Sequence, residues 1–592
     1  MKENFKAFEE RPIINCHAHI FTADHVPPYL AKTFLPWPFY YLLPVNLVVG
    51  LFRFWYKYPN TWQFKPWYRN IGRAIYAVNA SIRRSVILRV LNTLFQILAL
   101  IHVFFILYDA ISFATPAPDS IAGTINSIRQ WLLAHNLLFE IESVLIKFLL
   151  VLLVMLFYEN GRNIIWFIFK KIWSFLGILP GPKSRELVKR YLNIGRFSFY
   201  QQQSGIFSKL KNQYPSGTAF IILPMDMEFM DAGDLKHAHQ YHQQMAALAD
   251  IKSKKENSEI FYPFVFADPR RIKAEGQAHF KYSVKDGQVI LHDCFVKNFI
   301  VDQQFSGFKI YPALGYYPFD ESLLPLWKYA ADQGLPILSH CIRGTIFYRG
   351  TKKPEWDTHP VFEQACGEGL YEPLFLGEID NSDYINNFTH PLNFLCLLEE
   401  QLLRKLVGKA KDNTVRELFG YTDSQTPMRH NLSHLKICLG HFGGDDEWEK
   451  FMDSDRDNYS SQLVRYPDKG ISFLTSRSGD PAPGKPEQIW RFTDWYSIIC
   501  SLMLQYEHVY ADLSYIIHNN AIQPLLKHTL RNPSLRQKVL FGTDFYVVRN
   551  HKSEKQMLAD LFDDLSEAEI EAIAKINPRN FLGSILHGPV LI

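Results

Sequence analysis

The chain has 592 residues, more than one hydrophobic core usually holds, so several domains or one large domain with insertions are expected. Charged residues make up 21% and the formal net charge is only +4, which gives no reason to expect nucleic acid as a partner. The seven cysteines are scattered without a CxxC pair, so neither a disulfide framework nor a thiolate zinc site is indicated, and a reducing compartment is expected.

Two histidines lie one residue apart at the end of the first apolar run, in the sequence PIINCHAH at 12–19. Side chains of a strand alternate between its two faces, so His17 and His19 would point the same way and could share one metal ion. Taken alone, such a pair is more often two ordinary histidines. The interpretation therefore depends on ligands farther along the chain.

The next part of the chain, residues 36–190, is rich in aromatic and aliphatic residues and poor in acidic ones. The run 90–108 carries no formal charge and approaches the roughly 20 residues that cross a bilayer. A second, somewhat weaker run lies at 143–158. Two further segments, 41–56 and 164–179, combine tryptophans with central basic residues, which is typical of helices lying in the headgroup region.

Basic residues flank the two runs on their outer sides, whereas residues 109–142 between the runs contain only one lysine or arginine, Arg129. By the positive-inside rule, this predicts a hairpin that crosses the membrane twice with both flanks in the cytoplasm. Membrane lipid would then be a partner, and the rest of the chain would lie on the cytoplasmic side. The alternative is a pair of buried hydrophobic helices that form the interface of a homo-oligomer.

From residue 218 onward, short apolar runs alternate with longer polar, helix-compatible stretches, which is typical of an α/β protein. Together with the run at 12–19 they number eight, the number of strands in a closed parallel (β/α)8 barrel of the TIM type. The seven later runs begin at residues 218, 260, 305, 334, 435, 507 and 538.

The predicted fold class is therefore α/β, a (β/α)8 TIM-type barrel with a large hydrophobic α-helical insertion after strand 1. Residues 1–20 supply strand 1, residues 21–217 form the membrane-associated insertion, and residues 218–592 complete the barrel. A second insertion at 342–434 follows the fifth strand and should overhang the site. Because strands 1 and 2 pair inside one barrel, the first insertion must cross the membrane an even number of times.

Several predicted strands end on a residue that can bind a metal ion or move a proton. The carboxyl ends of parallel strands meet at one face of a barrel, so residues far apart in sequence would converge there. Imidazole nitrogens with one carboxylate form a ligand set that zinc and similar divalent ions accept. Besides the first histidine pair, these residues are Lys309 on strand 4, His340 on strand 5, His441 on strand 6 and Asp544 on strand 8.

Five motifs in this order, CHAHIF, GFKIYP, ILSH, LGHFGG and FGTDF, resemble the signature of the amidohydrolase superfamily. They are most similar to the branch that includes aminocarboxymuconate-semialdehyde decarboxylase. The resemblance covers residues 10–20 and 218–585 but not the hydrophobic insertion. It implies that one divalent metal is bound by four residues, with a fifth, His441, as a non-ligand or as a ligand of a second metal. The four implied ligands are His17, His19, His340 and Asp544.

A metal held in this way would lower the pKa of bound water from about 15.7 toward about 7 and supply hydroxide at neutral pH. Asp544 could accept the proton of the water and pass it to the leaving group. His441 could polarise the carbonyl or act as a general base, and its ordinary alternative is a core histidine.

Lys309 has two interpretations. In binuclear members of the superfamily a lysine on strand 4 is carboxylated and bridges two metals, whereas in mononuclear members a lysine there could hold a substrate carboxylate. Similarity to the decarboxylase branch favours one zinc ion per chain, with manganese or a second metal left open. Arg343 could clamp an acidic group of a small-molecule substrate, and its alternative is a surface arginine.

These patterns predict a membrane-anchored, metal-dependent hydrolase that cleaves an amide, ester or lactone-like bond. The first alternative is a non-oxidative decarboxylase, in which the same metal holds a carboxylate. The second is a membrane-associated binding protein that retains the fold without the chemistry. The substrate stays open, because one fold and ligand set can host many reactions.

Overall fold

The computed structural model describes most of the chain, and the bounds below refer to that part. The chain divides into two compact units, Met1–Arg53 with Glu186–Ile592, and Phe54–Arg185. Most of the predicted segment 164–179 and the basic residues after it lie outside the described residues. Apart from a few single positions, the described ranges are 12–33, 37–51, 65–111, 121–158, 202–235, 240–344, 346–377, 386–453, 458–475, 484–545 and 551–583.

Parallel strands form the framework of the first unit, and strands occur in all eight predicted runs. One sheet has the order β1-β2-β3 and the other has the order β13-β12-β11-β8-β7-β4, while β5/β6 and β9/β10 are antiparallel hairpins. This confirms the α/β class with parallel sheets. The strands are β1 Ile14–Ala18, β2 Ala219–Ile222, β3 Phe261–Pro263, β4 Val265–Phe266, β5 Tyr282–Lys285, β6 Gln288–Leu291, β7 Phe308–Ile310, β8 Ile337–Ile342, β9 Thr358–Gly367, β10 Leu370–Phe375, β11 Ile437–Gly443, β12 Val509–Asp512 and β13 Val539–Leu540.

Two connections join the parallel sheets. Strands β3 and β4 are separated only by Phe264. At the other edge, the Cys16 N–H donates to the carbonyl of Phe541 at 2.8 Å, and Ala18 forms a parallel bridge with Phe545. The carboxyl end of β1 therefore lies beside the chain that follows β13.

Alternate strand residues pack into two separate hydrophobic clusters. In β2, Phe220 belongs to the larger cluster together with helix residues such as Leu326. Its neighbour Ile221 belongs to a smaller cluster with strand residues such as Cys16 and Cys438. The strands are thus buried on both faces, which explains why their sequences are nearly continuous apolar runs.

Helices follow most strands, as expected for α/β proteins. The α-helices of six or more residues are α1 Pro66–Arg84, α2 Val86–Ile111, α3 Ile121–Ala134, α4 Val144–Phe157, α5 Gln203–Lys211, α6 Gln240–Ser253, α7 Pro269–Glu275, α8 Leu324–Gln333, α9 Glu400–Gly408, α10 Asn413–Phe419, α11 Asp445–Met452, α12 Ser460–Arg465, α13 Lys485–Phe492, α14 Trp495–Gln505, α15 Gln523–Arg531, α16 Glu554–Asp564 and α17 Asn577–Leu582.

Residues 21–53, which the sequence analysis places in the membrane-associated insertion, belong to the first unit. Leu30 and Val45 are fully buried there. The Tyr29 N–H donates to the carbonyl of Ala232 at 2.9 Å, which ties this segment to the loop after β2. The segment is therefore part of the surroundings of the strand ends.

The second unit consists of helices. Within α2, the stretch Val86–Asp109 is the one helix among the described residues that is long and apolar enough to cross a membrane, and 6% of its most apolar window is buried. Helix α4 contacts α2 but has 14 residues, which span about 21 Å at a rise of about 1.5 Å per residue. That is shorter than the hydrocarbon core of about 30 Å.

The second predicted insertion contains a histidine held in one protonation state. His359 in β9 is buried, and its Nδ1 accepts the backbone N–H groups of Val361 and Phe362 at 3.1 and 2.9 Å. Its Nε2 lies 3.0 Å from Oδ1 of Asn393. Burial lowers the pKa of His359 to about 3. The imidazole is therefore neutral in the folded chain.

We expect acid to destabilise the folded chain through His359. In the unfolded chain this histidine binds a proton below about pH 6.5, whereas the folded chain excludes it, so the free energy of unfolding falls by about 2 kcal/mol between pH 7 and pH 5. Urea unfolding at both pH values should show a smaller fall for His359→Gln, and the wild-type fall for the exposed control His434→Gln. The same fall in all three proteins would contradict this expectation.

Candidate metal centre

Three of the predicted residues meet where β1 lies beside the chain that follows β13. Oδ1 of Asp544 lies 3.3 Å from Nε2 of His19 and 3.8 Å from Nε2 of His17. The three side chains are buried, and one donor atom from each lies within 4.8 Å of the others. Two nitrogens and a carboxylate oxygen from opposite ends of the sequence thus converge on one small volume.

Hydrogen bonds fix which nitrogen of each imidazole carries the proton. Nδ1 of His17 lies 2.9 Å from Oδ2 of Asp512, and Nδ1 of His19 lies 2.9 Å from the carbonyl of Leu223. Carboxylate and carbonyl oxygens only accept, so each Nδ1 donates and each Nε2 presents a lone pair.

The donor atoms fit a divalent cation. Burial lowers the pKa of His17, which keeps its imidazole neutral. Its Nε2 is buried and has no hydrogen-bond partner among the described residues. Burial alone would raise the pKa of Asp544, but the adjacent His19 and the other nearby histidines lower it to about 2. Neutral imidazoles with one carboxylate anion are ligands that zinc accepts.

The sequence analysis missed Asp512, which ends β12 and is completely buried. Its Oδ2 holds His17, and its Oδ1 accepts the backbone N–H groups of His441 and Ser514, each at 3.0 Å. Burial alone would raise the pKa of Asp512, but the adjacent His17 keeps it below its ordinary value. The sequence signal resembles that of the other residues, since Asp512 lies near the end of the apolar run EHVYADLS at 507–514.

Four consecutive residues at the carboxyl end of β11 have positive φ angles. His441 has φ 64° and Phe442 has φ 45°, followed by Gly443 and Gly444 at 85° and 98°. Non-glycine residues rarely adopt positive φ, and such strain is usually held by the surrounding structure. Here Asp512 accepts the His441 N–H. A Cβ on Gly444 would lie 2.7 Å from Cγ1 of Ile342, so this position requires glycine.

The other two predicted histidines form a pair. Nε2 of His441 lies 3.0 Å from Nδ1 of His340, whose ring stacks on Tyr311 with centroids 3.9 Å apart. Burial lowers the pKa of His441 to about 3, so this ring is neutral. Among the described residues, the donor groups within 4.8 Å are His17/His19/Asp544 and His17/His441/Asp512. The role of His340 as a ligand therefore stays a prediction.

Lys309 and Arg343 lie in different environments. Lys309 is fully buried, and its Nζ has no hydrogen-bond partner within the part of the chain that the structure describes. Burial lowers the pKa of Lys309 to about 8, although Asp512 and Asp544 oppose this shift. Arg343 has a half-exposed side chain that lies 3.5 Å from Glu447.

A cavity of about 310 Å³ opens at these strand ends. The cavity is lined by four of the predicted site residues and by Tyr311. The four are His19, His340, His441 and Asp544. The rest of its lining includes apolar and acidic side chains, together with Arg343, Tyr515, His518 and His551. The apolar ones include Phe21, Val26, Leu30, Met225, Met227 and Ile346, and the acidic ones are Asp445, Asp446 and Glu447.

No family model and no curated protein matches the chain. Similar solved structures include an amidohydrolase from Mycobacterium avium subsp. paratuberculosis K-10, with 15% identity over 65% of this chain and 75% of that chain, at a TM-score of 0.29. An uncharacterized TIM-barrel protein from Bordetella bronchiseptica has 10% identity over 68% and 92%, at a TM-score of 0.32. A zinc-bound amidohydrolase from Burkholderia multivorans has 10% identity over 66% and 91%, at a TM-score of 0.30.

Proposed function

We propose that the chain is a metal-dependent hydrolase of the amidohydrolase type, built on a (β/α)8 barrel. It would cleave an amide, ester or lactone-like bond with a metal-activated water. The observation that carries this proposal is the convergence of His17, His19 and Asp544, with both Nε2 lone pairs left for an ion.

Each residue of the site has its own role in the proposed reaction. His17, His19 and Asp544 would hold the ion, with His340 as the fourth predicted ligand. A divalent ion bound here would polarise a carbonyl and lower the pKa of a bound water. The Asp544 carboxylate accepts the proton of the attacking water, and the neutral His441 offers a second position for a proton near the carbonyl. Burial around these groups excludes bulk water.

We expect the purified full chain, loaded with zinc in detergent, to contain one ion per chain by mass spectrometry and to hydrolyse members of a panel of esters, amides and lactones. A chelator should abolish the activity and zinc should restore it. Two ions per chain would overturn the mononuclear interpretation. Release of carbon dioxide from an acid substrate without uptake of water would replace the hydrolase by the decarboxylase.

We also propose that the second unit anchors the chain in a membrane, with the basic flank of α2 on the cytoplasmic side. The apolar stretch of α2 supports this, and so does the composition of α1, which precedes it by one residue. At about 100° per residue, one face of α1 presents Trp67, Ile71 and Ile75, each about half exposed. Arginines lie on the opposite face, and α1 contains no acidic residue. A basic amphipathic helix suits an anionic bilayer surface.

Cysteine labelling can test this anchoring on the full chain in lipid nanodiscs. Ile75→Cys should be protected from a membrane-impermeant maleimide when the nanodisc contains anionic phospholipid, because residue 75 would face the acyl chains. Tyr76→Cys, on the arginine face and 77% exposed, should react freely. Mass spectrometry of the peptide locates the label and separates it from native cysteines. Equal labelling at both positions would contradict an interfacial helix.

A further inference from the structure

We infer that the cavity binds a neutral amphiphile, whose hydrocarbon chain lies against one wall of the cavity while its scissile carbonyl lies at His17, His19 and Asp544. This inference rests on the proposed hydrolase function and names the substrate class of the same site. It follows from two sets of lining side chains, one apolar and one acidic, which we call the apolar wall and the acidic wall.

The apolar wall consists of Phe21, Val26, Leu30, Met225 and Met227. The first three follow β1, whose carboxyl end carries His17 and His19, and the two methionines follow the neighbouring strand β2. Each of these side chains is at most 8% exposed, although each borders the cavity. A largely apolar cavity beside a few convergent polar groups is the usual form of a small-molecule site.

Internal hydrogen bonds occupy backbone groups of two residues in the apolar wall, Met225 and Val26. The side chain of Gln244 accepts the Met225 N–H at 2.8 Å and donates to the Met225 carbonyl at 2.9 Å. The Val26 N–H donates to the carbonyl of Ala23. The wall therefore offers a bound molecule hydrocarbon and thioether surface. Unbranched methionine side chains also adapt to ligands of different shape.

The acidic wall is formed by Asp445, Asp446 and Glu447 in the first turn of α11. Burial raises the pKa of Asp446, and the neighbouring Asp445 adds to this, which is the effect of a local negative field. Such a field opposes a carboxylate on the substrate. A neutral ester, amide or lactone meets no such repulsion.

Arg343 does not offset this field for a substrate carboxylate. Its guanidinium lies 3.5 Å from Glu447 and 4.9 Å from the centre of the Trp495 ring, so it is already engaged with the acidic wall. The predicted role of Arg343 as a clamp for an acidic group is therefore disfavoured by its contacts.

A series of 4-nitrophenyl esters from acetate to hexanoate tests the inference on the zinc-loaded full chain in one detergent. Each CH2 that becomes buried should raise kcat/KM about fourfold. Met227→Gln keeps the side-chain length but adds a polar amide to the wall, so it should lower the hexanoate-to-acetate ratio at least about tenfold. The control Met452→Gln, at the end of α11 and outside the cavity lining, should keep the wild-type ratio.

Binding without turnover separates this inference from the proposed hydrolase. Ligand-observed NMR of the metal-free chain should show tighter binding of N-hexylacetamide than of N-ethylacetamide, with a smaller difference in Met227→Gln. If that preference holds but no ester is hydrolysed, the apolar site stands and the hydrolase is overturned. If esters are hydrolysed with no dependence on chain length, or if a substrate with a terminal carboxylate is preferred over its neutral ester, the inference is overturned.

Discussion

Asp544→Asn is expected to lose most of the bound zinc and to lower kcat/KM by about 10²- to 10⁴-fold, the range seen when a positioned proton-transfer group is removed. The substitution keeps the shape of the side chain but removes the negative charge beside Nε2 of His19 and Nε2 of His17. It also removes the group proposed to accept the proton of the water. Metal content by mass spectrometry and ester hydrolysis measure the two effects separately.

Asp563→Asn provides a matched control, because Asp563 is exposed on α16 and lies outside the cavity lining. It should retain the zinc content and the activity of the wild type. An Asp544→Asn protein that folds, binds zinc as the wild type does and remains fully active would remove Asp544 from the metal centre.

Asp512→Asn is expected to weaken zinc binding by about 10- to 100-fold, which is typical of partners that orient a metal-binding histidine. Asparagine has one acceptor oxygen, whereas Asp512 uses Oδ2 for His17 and Oδ1 for the His441 and Ser514 N–H groups. If the amide nitrogen faces His17, its Nδ1 can no longer donate, and the proton moves to Nε2. That proton blocks the lone pair needed by the ion.

Competition with a chromophoric chelator measures this loss as a zinc dissociation constant, and circular dichroism reports whether the variant is folded. Ser514→Ala is the comparison, because it removes the hydroxyl near Nδ1 of His17 but leaves both oxygens of Asp512 in place. We expect a smaller change in that variant. Equal zinc affinity in Asp512→Asn and the wild type would contradict the positioning role.

The strand positions were predictable because their physical cause is visible in the sequence. Strands buried on both faces appear as short apolar runs, and polar residues at the ends of such runs are conspicuous. This is why His17, His19 and Asp544 could be named together although they lie at opposite ends of the chain. The proximity of their donor atoms still required the hydrogen bonds between β1 and the chain after β13.

Other features of the site depend on contacts that no local pattern records. The pairing of His441 with His340 follows from a left-handed turn that Asp512 holds in place. Asp512 itself resembles any other acidic residue at the end of a run until its partners are known. Leu30 and Val45 are apolar, like the residues of the hydrophobic helices that follow them in the chain, yet they are buried in the first unit. Hydrophobicity alone does not show against which surface an apolar residue packs.

The pairing of β1 with the chain after β13 has a consequence for biosynthesis. The Cys16 N–H donates to the carbonyl of Phe541. This hydrogen bond cannot form until the ribosome has added more than 500 residues after β1. At about 5 to 20 residues per second, that interval is about half a minute to two minutes. During it, His17 and His19 exist without Asp544, and the nascent chain holds only part of the site. The three donor residues are therefore together only after the apolar helices α2 and α4 of the second unit have been synthesised.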